Sequence, residues 1–233
     1  MAEPTRRGRR LLLPSLVSFG ALLVLLGLGT WQVERLAWKT ALLAQFDAVE
    51  AGPPVPVMAA EPPAYAKVSA TGRFDHTREA LLGLEVRGDT LGAHLVAPLM
   101  RDSAPPILVD RGWVPLERSG TTTHPEGEVT VTGWVRPPEA AGWFSPADDI
   151  PGRRLYTYDP ETIGAALGLT SVAPWTLVAL ADGTDRTTLP QPARGLPRPN
   201  NNHLGYAITW FGLAAGLVGV YLVWLRHRLK ENA

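Results

Sequence analysis

Residues 11–33 read LLLPSLVSFGALLVLLGLGTWQV, and residues 204–225 read LGYAITWFGLAAGLVGVYLVWL; neither stretch holds a charged side chain. Taken as helix, Leu11 to Gly29 extends about 28 Å at 1.5 Å per residue, close to the roughly 30 Å hydrocarbon thickness of a bilayer. The second stretch places Tyr206, Trp210, Tyr221 and Trp224 near its two ends, where amphipathic rings sit at headgroup level. Both therefore read as membrane spans. A cleaved signal peptide would share the basic start and apolar centre of the first, but the apolar run is too long for one and no Ala-x-Ala site follows it. The basic stop Arg226-His227-Arg228 argues against a buried core helix for the second. Gly212, Gly216 and Gly219 suggest a face for close helix approach, so the spans are expected to pack against each other there.

Working outward, the zero net charge of the 233 residues is an average over unlike segments. Arg6, Arg7, Arg9 and Arg10 against Glu3 give the first ten residues a net +3; Arg226, Arg228 and Lys230 against Glu231 give 226–233 a net +2; residues 34–202 carry 15 basic and 20 acidic groups, a net −5. Lys and Arg beside a span resist translocation, so both ends are expected in the cytoplasm and the middle outside. The short tail before the first span leaves no room for a mitochondrial transit peptide, which favours a bacterial inner membrane with a periplasmic domain. The expected layout is a basic tail over 1–10, a span over 11–33, an outer domain over 34–202, a second span over 203–225 and a basic tail over 226–233.

The outer segment suits one β-rich domain. Helix continues out of the first span from Glu34 to Val49 and stops at Gly52-Pro53-Pro54. Seven strand-like runs follow: Tyr65 to Thr71, Ala80 to Val86, Leu91 to Leu99, Ile107 to Val114, Glu128 to Val135, Arg154 to Tyr158, and Trp175 to Leu180, with turns such as Arg87-Gly88-Asp89 and Ala181-Asp182-Gly183 between or after them. They imply an antiparallel sheet or barrel, interrupted by a helix that Asp159 caps, Pro160 opens and Gly168 ends. From Leu189 to Pro199 four prolines predict an extended tether. The fold class is thus an α+β membrane protein: two transmembrane helices flanking a β-rich antiparallel periplasmic domain with one or two helices.

Signatures of catalysis are scarce. The absence of cysteine excludes disulfides, thiolate metal sites and a cysteine nucleophile. No phosphate loop, Gly-x-Ser-x-Gly or His-Glu-x-x-His occurs. His76, His94 and His124 lie far apart with no ligand-like spacing and are expected on the surface or in turns, and Asp148-Asp149 in a solvated turn. The acidic outer segment disfavours nucleic acid. Asp110-Arg111-Gly112-Trp113 is expected to shape the domain, with a bulge at Gly112 and a local Asp110–Arg111 pair. His203 stands out, at the mouth of the second span with Tyr206, Ala207 and Trp210 at i+3, i+4 and i+7. A neutral imidazole beside flat rings at this level could ligate the iron of a planar amphipathic macrocycle, although from this feature alone an interfacial helix cap is the simpler reading.

Several segments, in order along the chain, resemble the Surfeit locus 1 family of cytochrome oxidase assembly factors: Leu28-Gly29-Thr30-Trp31-Gln32-Val33-Glu34-Arg35-Leu36-Ala37-Trp38-Lys39, Gly72-Arg73-Phe74, Val109-Asp110-Arg111-Gly112-Trp113-Val114-Pro115, Val131-Thr132-Gly133-Trp134-Val135-Arg136 and Asn202-His203-Leu204-Gly205-Tyr206-Ala207-Ile208-Thr209-Trp210-Phe211. The resemblance implies a non-enzymatic role in building haem–copper terminal oxidases, with haem a as a transient cofactor, cytochrome oxidase subunit I as partner and haem a synthase as a further one. It implies His203 as the axial ligand of the haem iron. For such a carrier Trp31, Trp38, Tyr206 and Trp210 could supply stacking walls, and Arg35 and Lys39 could meet the propionates or equally serve as ordinary interfacial anchors. A scaffold that holds subunit I without touching haem is the alternative.

Overall fold

The computed structural model describes residues 4–58, 61–117, 122–181, 183 and 188–231. Glu3, Asp182 and the side chains of Arg6–Arg10 lie outside that description. Three helices and eight strands follow one another as α1 (Pro4–Ala51), β1 (Val55–Pro56), β2 (Lys67–Phe74), β3 (Ala80–Arg87), β4 (Thr90–Arg101), β5 (Ala104–Pro115), β6 (Val129–Arg136), β7 (Arg154–Leu155), α2 (Pro160–Ala166), β8 (Thr176–Ala179) and α3 (His203–Lys230). They form two units. The long helices, up to Phe46 and from Arg198, make one; Asp47–Pro197 makes the other.

In the helical unit, α1 and α3 are both long and apolar enough to cross a membrane. Large apolar side chains face outward along them, Leu16 at 71% exposure and Val220 at 70%, which water would penalise and hydrocarbon does not. The helices run antiparallel. Ser15 Oγ and Tyr221 Oη meet at 2.6 Å near one end, Gly29 lies against the Phe211 ring further along, and His203 meets Gln32 at the other end.

The expected packing through Gly212, Gly216 and Gly219 does not occur, because a Cβ added at any of them would meet open space. The buried small residues of α3 are instead Ala207 and Ala214. At 3.6 residues per turn the three glycines project about 120–180° around the helix from that alanine pair. His203, Phe211 and Tyr221 fall within about 40° of it, and these are the residues that touch α1.

The other unit is built on an eight-stranded sheet of order β1-β2-β6-β8-β5-β4-β3-β7, and an additional β2–β4 pairing closes five of its strands into a ring. Closure comes from Arg73 opposite Met100 and Phe74 opposite Leu99. It depends on Gly72, where a Cβ would run into the Met100 carbonyl. Val68, Ala70, Leu99, Ile107, Val109, Val135 and Leu177 fill one buried cluster. Leu108, pointing the other way from β5, joins Leu82, Val96, Leu155, Ile163 and Leu167 in a second cluster that α2 covers. Strand β5 is thus buried on both faces, the reason it is apolar without a break from Ala104 to Val109, before the buried Asp110 and Arg111.

All seven expected strands are present, although the last but one shrinks to Arg154–Leu155. Most ladders are antiparallel, but β1–β2, β3–β7 and β5–β8 run parallel, so the sheet is mixed. The parallel β5–β8 pair needs a long crossover, which the stretch containing β6, β7 and α2 provides. Helix α2 begins as expected, with the Asp159 carboxylate accepting from Thr162 N and Pro160 in the first turn. The expected tether after Leu189 is docked rather than free. Gln191 and Trp113 exchange backbone hydrogen bonds at 2.8 and 2.9 Å, and Ala193 bridges to Leu180, because those strand groups would otherwise lack partners.

Candidate functional site

At one end of the helical pair, the His203 Nδ1 lies 2.7 Å from Gln32 Oε1. An amide oxygen only accepts, so Nδ1 carries the hydrogen and the neutral ring keeps its lone pair on Nε2. A hydrogen bond of this kind to the far ring nitrogen is what fixes the tautomer of a metal-bound imidazole. Gln32 is buried, at 8% exposure. Its place in the run Gly29-Thr30-Trp31-Gln32, a buried amide just where the first span ends, was the sequence signal for a role that residue pattern alone did not reveal.

The remaining candidates divide around this pair. Lys39, two turns beyond Gln32 on the same face, donates from Nζ to the Asn200 carbonyl. Trp210 is half-buried on the His203 side of α3. Arg35 stacks its guanidinium 4.4 Å above the Trp38 ring. Trp31 and Trp38 are each 52% exposed and turned about 100–120° from Gln32 around α1, and Tyr206 is 57% exposed at the rim of the α3 contact face. The helical pair thus gathers His203, Gln32, Trp210 and Lys39, and sets Trp31, Trp38 and Tyr206 outward. An apolar cleft of about 260 Å³ between the helices is lined by Ser15, Phe19, Leu217 and Tyr221, at the opposite end from His203.

For a haem group the donor set fits on one side of the iron: Nε2 is the ring atom left with a lone pair, and the described residues give it no hydrogen-bond partner. Two cationic side chains lie within two turns of Gln32 on α1. Arg35 has no carboxylate partner among the described residues, whereas Lys39 would first have to leave the Asn200 carbonyl.

A second concentration of polar groups lies in the sheet unit, on the segment Val109-Asp110-Arg111-Gly112-Trp113 of β5. The ladder slips between Leu95 and Val96, which pair with Gly112 and Asp110 and leave Arg111 extra. Gly112 sits at φ +124°, close against the Gln191 carbonyl, so the expected bulge is present and needs glycine. The expected Asp110–Arg111 pair is absent, because neighbouring side chains on a strand point to opposite faces. Asp110, fully buried, accepts from Tyr158 Oη at 2.7 Å, Gly112 N at 3.0 Å and His94 Nδ1 at 3.0 Å. Arg111 donates to Glu79 Oε1 at 3.2 Å and to the Thr123 carbonyl, with its guanidinium 5.0 Å over Phe74.

His94 is clamped on both sides, since its Nε2 lies 2.8 Å from Glu85 Oε2. Burial works against the charged ring, but the Asp110 and Glu85 carboxylates outweigh it and hold the His94 pKa above its ordinary value. The Arg87 guanidinium, against an opposing burial cost, draws the Glu85 carboxyl below its usual range, and His94 adds to the effect. Burial, then the Asp110 charge, pushes the Tyr158 phenol up, keeping it a donor. This cluster joins β3, β4, β5 and Tyr158; every polar member is satisfied from inside, so it reads as structural rather than reactive.

Of the three outer histidines, His76 lies in a turn and His124 on the surface as expected, and His94 does not. His94 is the half-buried clamp just described. His76 and His124, 48 positions apart in sequence, come together with their ring centroids 4.6 Å apart at 88°, and Glu79 lies between them. Only the turn before β3 and the docking of the segment after β5 bring them together, which no local spacing encodes. Asp148 and Asp149 sit in a turn as expected, accepting from Tyr156 N and Gly152 N.

A sequence model described as the SURF1 family matches residues 19–215. Surfeit locus protein 1 of Homo sapiens is 32% identical over 81% of this chain and 70% of its own length. The protein of the same name from Xenopus tropicalis is 31% identical over 88% and 73%. A SURF1-like protein of Rickettsia conorii (strain ATCC VR-613 / Malish 7) is 29% identical over 90% of both chains.

Proposed function

The chain belongs to the SURF1 family, and on that premise we propose that it is an assembly factor for a haem–copper terminal oxidase, holding haem a through His203 and passing it to subunit I. The observation that carries this reading is the His203–Gln32 hydrogen bond at the end of the helical pair, which leaves Nε2 as the basic ring atom. Haem a when bound would supply a redox-active iron with an exchangeable axial position. What the chain contributes is binding and orientation. Gln32 holds the imidazole in one tautomer and one rotamer, so little ordering cost remains when Nε2 binds. Arg35, its guanidinium stacked over the Trp38 ring, would offer its free edge to a propionate carboxylate. A carrier requires reversible ligation, because a site as tight as the client's would not release its load, and one histidine is a single bond to exchange.

The basic flanks Arg6–Arg10 and Arg226–Lys230 support a topology with both termini in the cytoplasm and the sheet unit on the outer, periplasmic face of a bacterial inner membrane. His203 then lies at the outer interface, where the chain acts as a carrier and not as a catalyst. Haem a synthase is the donor this reading calls for, since a group with a long apolar tail is costly to release into water.

The test is optical spectroscopy of protein purified from cells that make haem a. A Soret band is expected, largely lost in His203→Ala and weakened in Gln32→Leu, which frees the ring. An undiminished band in His203→Ala removes His203 from the ligand role. A wild-type protein without haem that still co-purifies with subunit I leaves the scaffold reading in its place.

A further inference from the structure

Away from the membrane helices, His76, Glu79 and His124 each offer one ligand atom, and these atoms all lie within 4.8 Å of one another. From their geometry we infer that these three residues form a binding site for a divalent transition-metal ion of the Zn²⁺ type. The inference is independent of the proposed function and uses none of its residues.

Each histidine stands at ligand-like distance from its own oxygen of the Glu79 carboxylate. His76 Nδ1 lies 3.1 Å from Glu79 Oε1, and His124 Nε2 lies 3.3 Å from Glu79 Oε2. Ligands on a tetrahedral ion with bonds of about 2.0–2.1 Å stand about 3.4 Å apart. Two imidazoles and one carboxylate are also a donor set that Zn²⁺ takes in open sites, where the fourth position is left to water.

The tautomer of His76 is a separate observation. Its Nε2 lies 3.0 Å from the Pro125 carbonyl, which can only accept, so Nε2 holds the hydrogen. In the neutral ring the lone pair is then on Nδ1, facing the Glu79 carboxylate, a confrontation of two acceptors that either a second ring proton or a metal ion relieves. An imidazole that gives its distal N–H to a backbone carbonyl while aiming its other nitrogen inward is the arrangement of a ligating histidine. Glu79 is oriented in the same way, since Arg111 Nη1 donates to its Oε1 at 3.2 Å. Arg111 also limits affinity, because its positive charge stands beside the ion.

The site is accessible and spans two parts of the chain. His124 is 44% exposed, while His76 and Glu79 are about four-fifths covered, at 20% and 18%. A bound ion would tie the segment after β5 to the turn between β2 and β3.

The test titrates tag-free full-length protein, in detergent and stripped with a chelator, with ZnCl₂ against a chromogenic competitor. One equivalent is expected in the wild type and in His203→Ala, with affinity falling at least about 10–100-fold in His124→Ala. Replacement by Co²⁺ should give the visible absorption of a tetrahedral centre, absent in that variant. His124→Ala changes an exposed side chain, so it remains informative if Glu79→Gln, which also loses the Arg111 contact, unfolds. Wild-type protein that takes up no Zn²⁺, or an equivalent that survives in both His76→Ala and His124→Ala, overturns the assignment.

Discussion

Replacing His94 with glutamine isolates the charge clamp at the centre of the sheet unit. In the native protein the ring gives one N–H to Asp110 and one to Glu85, and its pKa is raised by those carboxylates despite burial. Below the ordinary histidine pKa, near 6.5, folded and unfolded chains both hold the proton and the full stabilisation is present. As pH rises past that value the unfolded chain loses its proton while the folded one keeps it. Stability then falls by up to about 1.4 kcal/mol per pH unit, until the folded pKa is passed. Glutamine can still donate to Asp110 but carries no charge. On the acidic plateau the substitution should therefore cost about 1.5–3 kcal/mol, the range for hydrogen bonds to charged groups. At about 2–4 °C per kcal/mol for a domain of this size, Tm drops by roughly 3–12 °C.

The assay is thermal unfolding of wild type and His94→Gln, followed by near-ultraviolet circular dichroism between about pH 6 and about pH 9. The gap in Tm should be widest at the acidic end and narrow as pH rises. Titration of the other histidines is common to both proteins and cancels in the difference. A gap that stays constant with pH would show that His94 holds no extra proton in the fold, and the reasoning would fail. Glu85 acts with the opposite sign: with its folded pKa lowered, it contributes stability that is lost as pH falls through that value, so the clamp is strongest in the mildly acidic range between.

Gly72→Val should open the β2–β4 closure, because a side chain there meets the Met100 carbonyl; a loss of about 1–3 kcal/mol in urea unfolding is expected, and an unchanged midpoint would mean the ring does not depend on that contact. Arg111→Glu sets two carboxylates side by side at Glu79 and should cost about 3–5 kcal/mol, whereas Arg111→Met keeps the packing on Phe74 and should cost less; equal losses in the two variants would show that charge is not what matters.

What could be read from the residues alone was what chain-local physics writes down. The two spans, the capped helix opened by Asp159 and Pro160, and seven strands between turn residues all followed from periodicity and turn chemistry. Gly88 turns between β3 and β4 at φ +60° where Arg87-Gly88-Asp89 predicted a turn. Contacts between distant segments were illegible for the same reason. Nothing near Phe74 announces that it pairs with Leu99, and nothing near His76 announces His124. The glycines of α3 were misread because glycine spacing marks a face without saying which way it turns; the packed face is set by Ala207 and Ala214. At the candidate haem site His203 was conspicuous as a lone imidazole at a span end, while its anchor Gln32, on the other helix, was not.

Closing five strands on themselves also decides how a neighbour can engage this molecule. An open sheet offers a row of unused amides and carbonyls on which a foreign strand can grow. Here the flanks of the sheet are two-residue pieces, β1 with Pro56 in it and β7, and the rest of β3 past β7 carries Glu85 and Arg87. Recruitment by strand addition is thereby discouraged. Whatever associates with the domain must do so through side chains on its loops and outer surface, and the almost wholly exposed Trp143 and Phe144 are the largest apolar groups there.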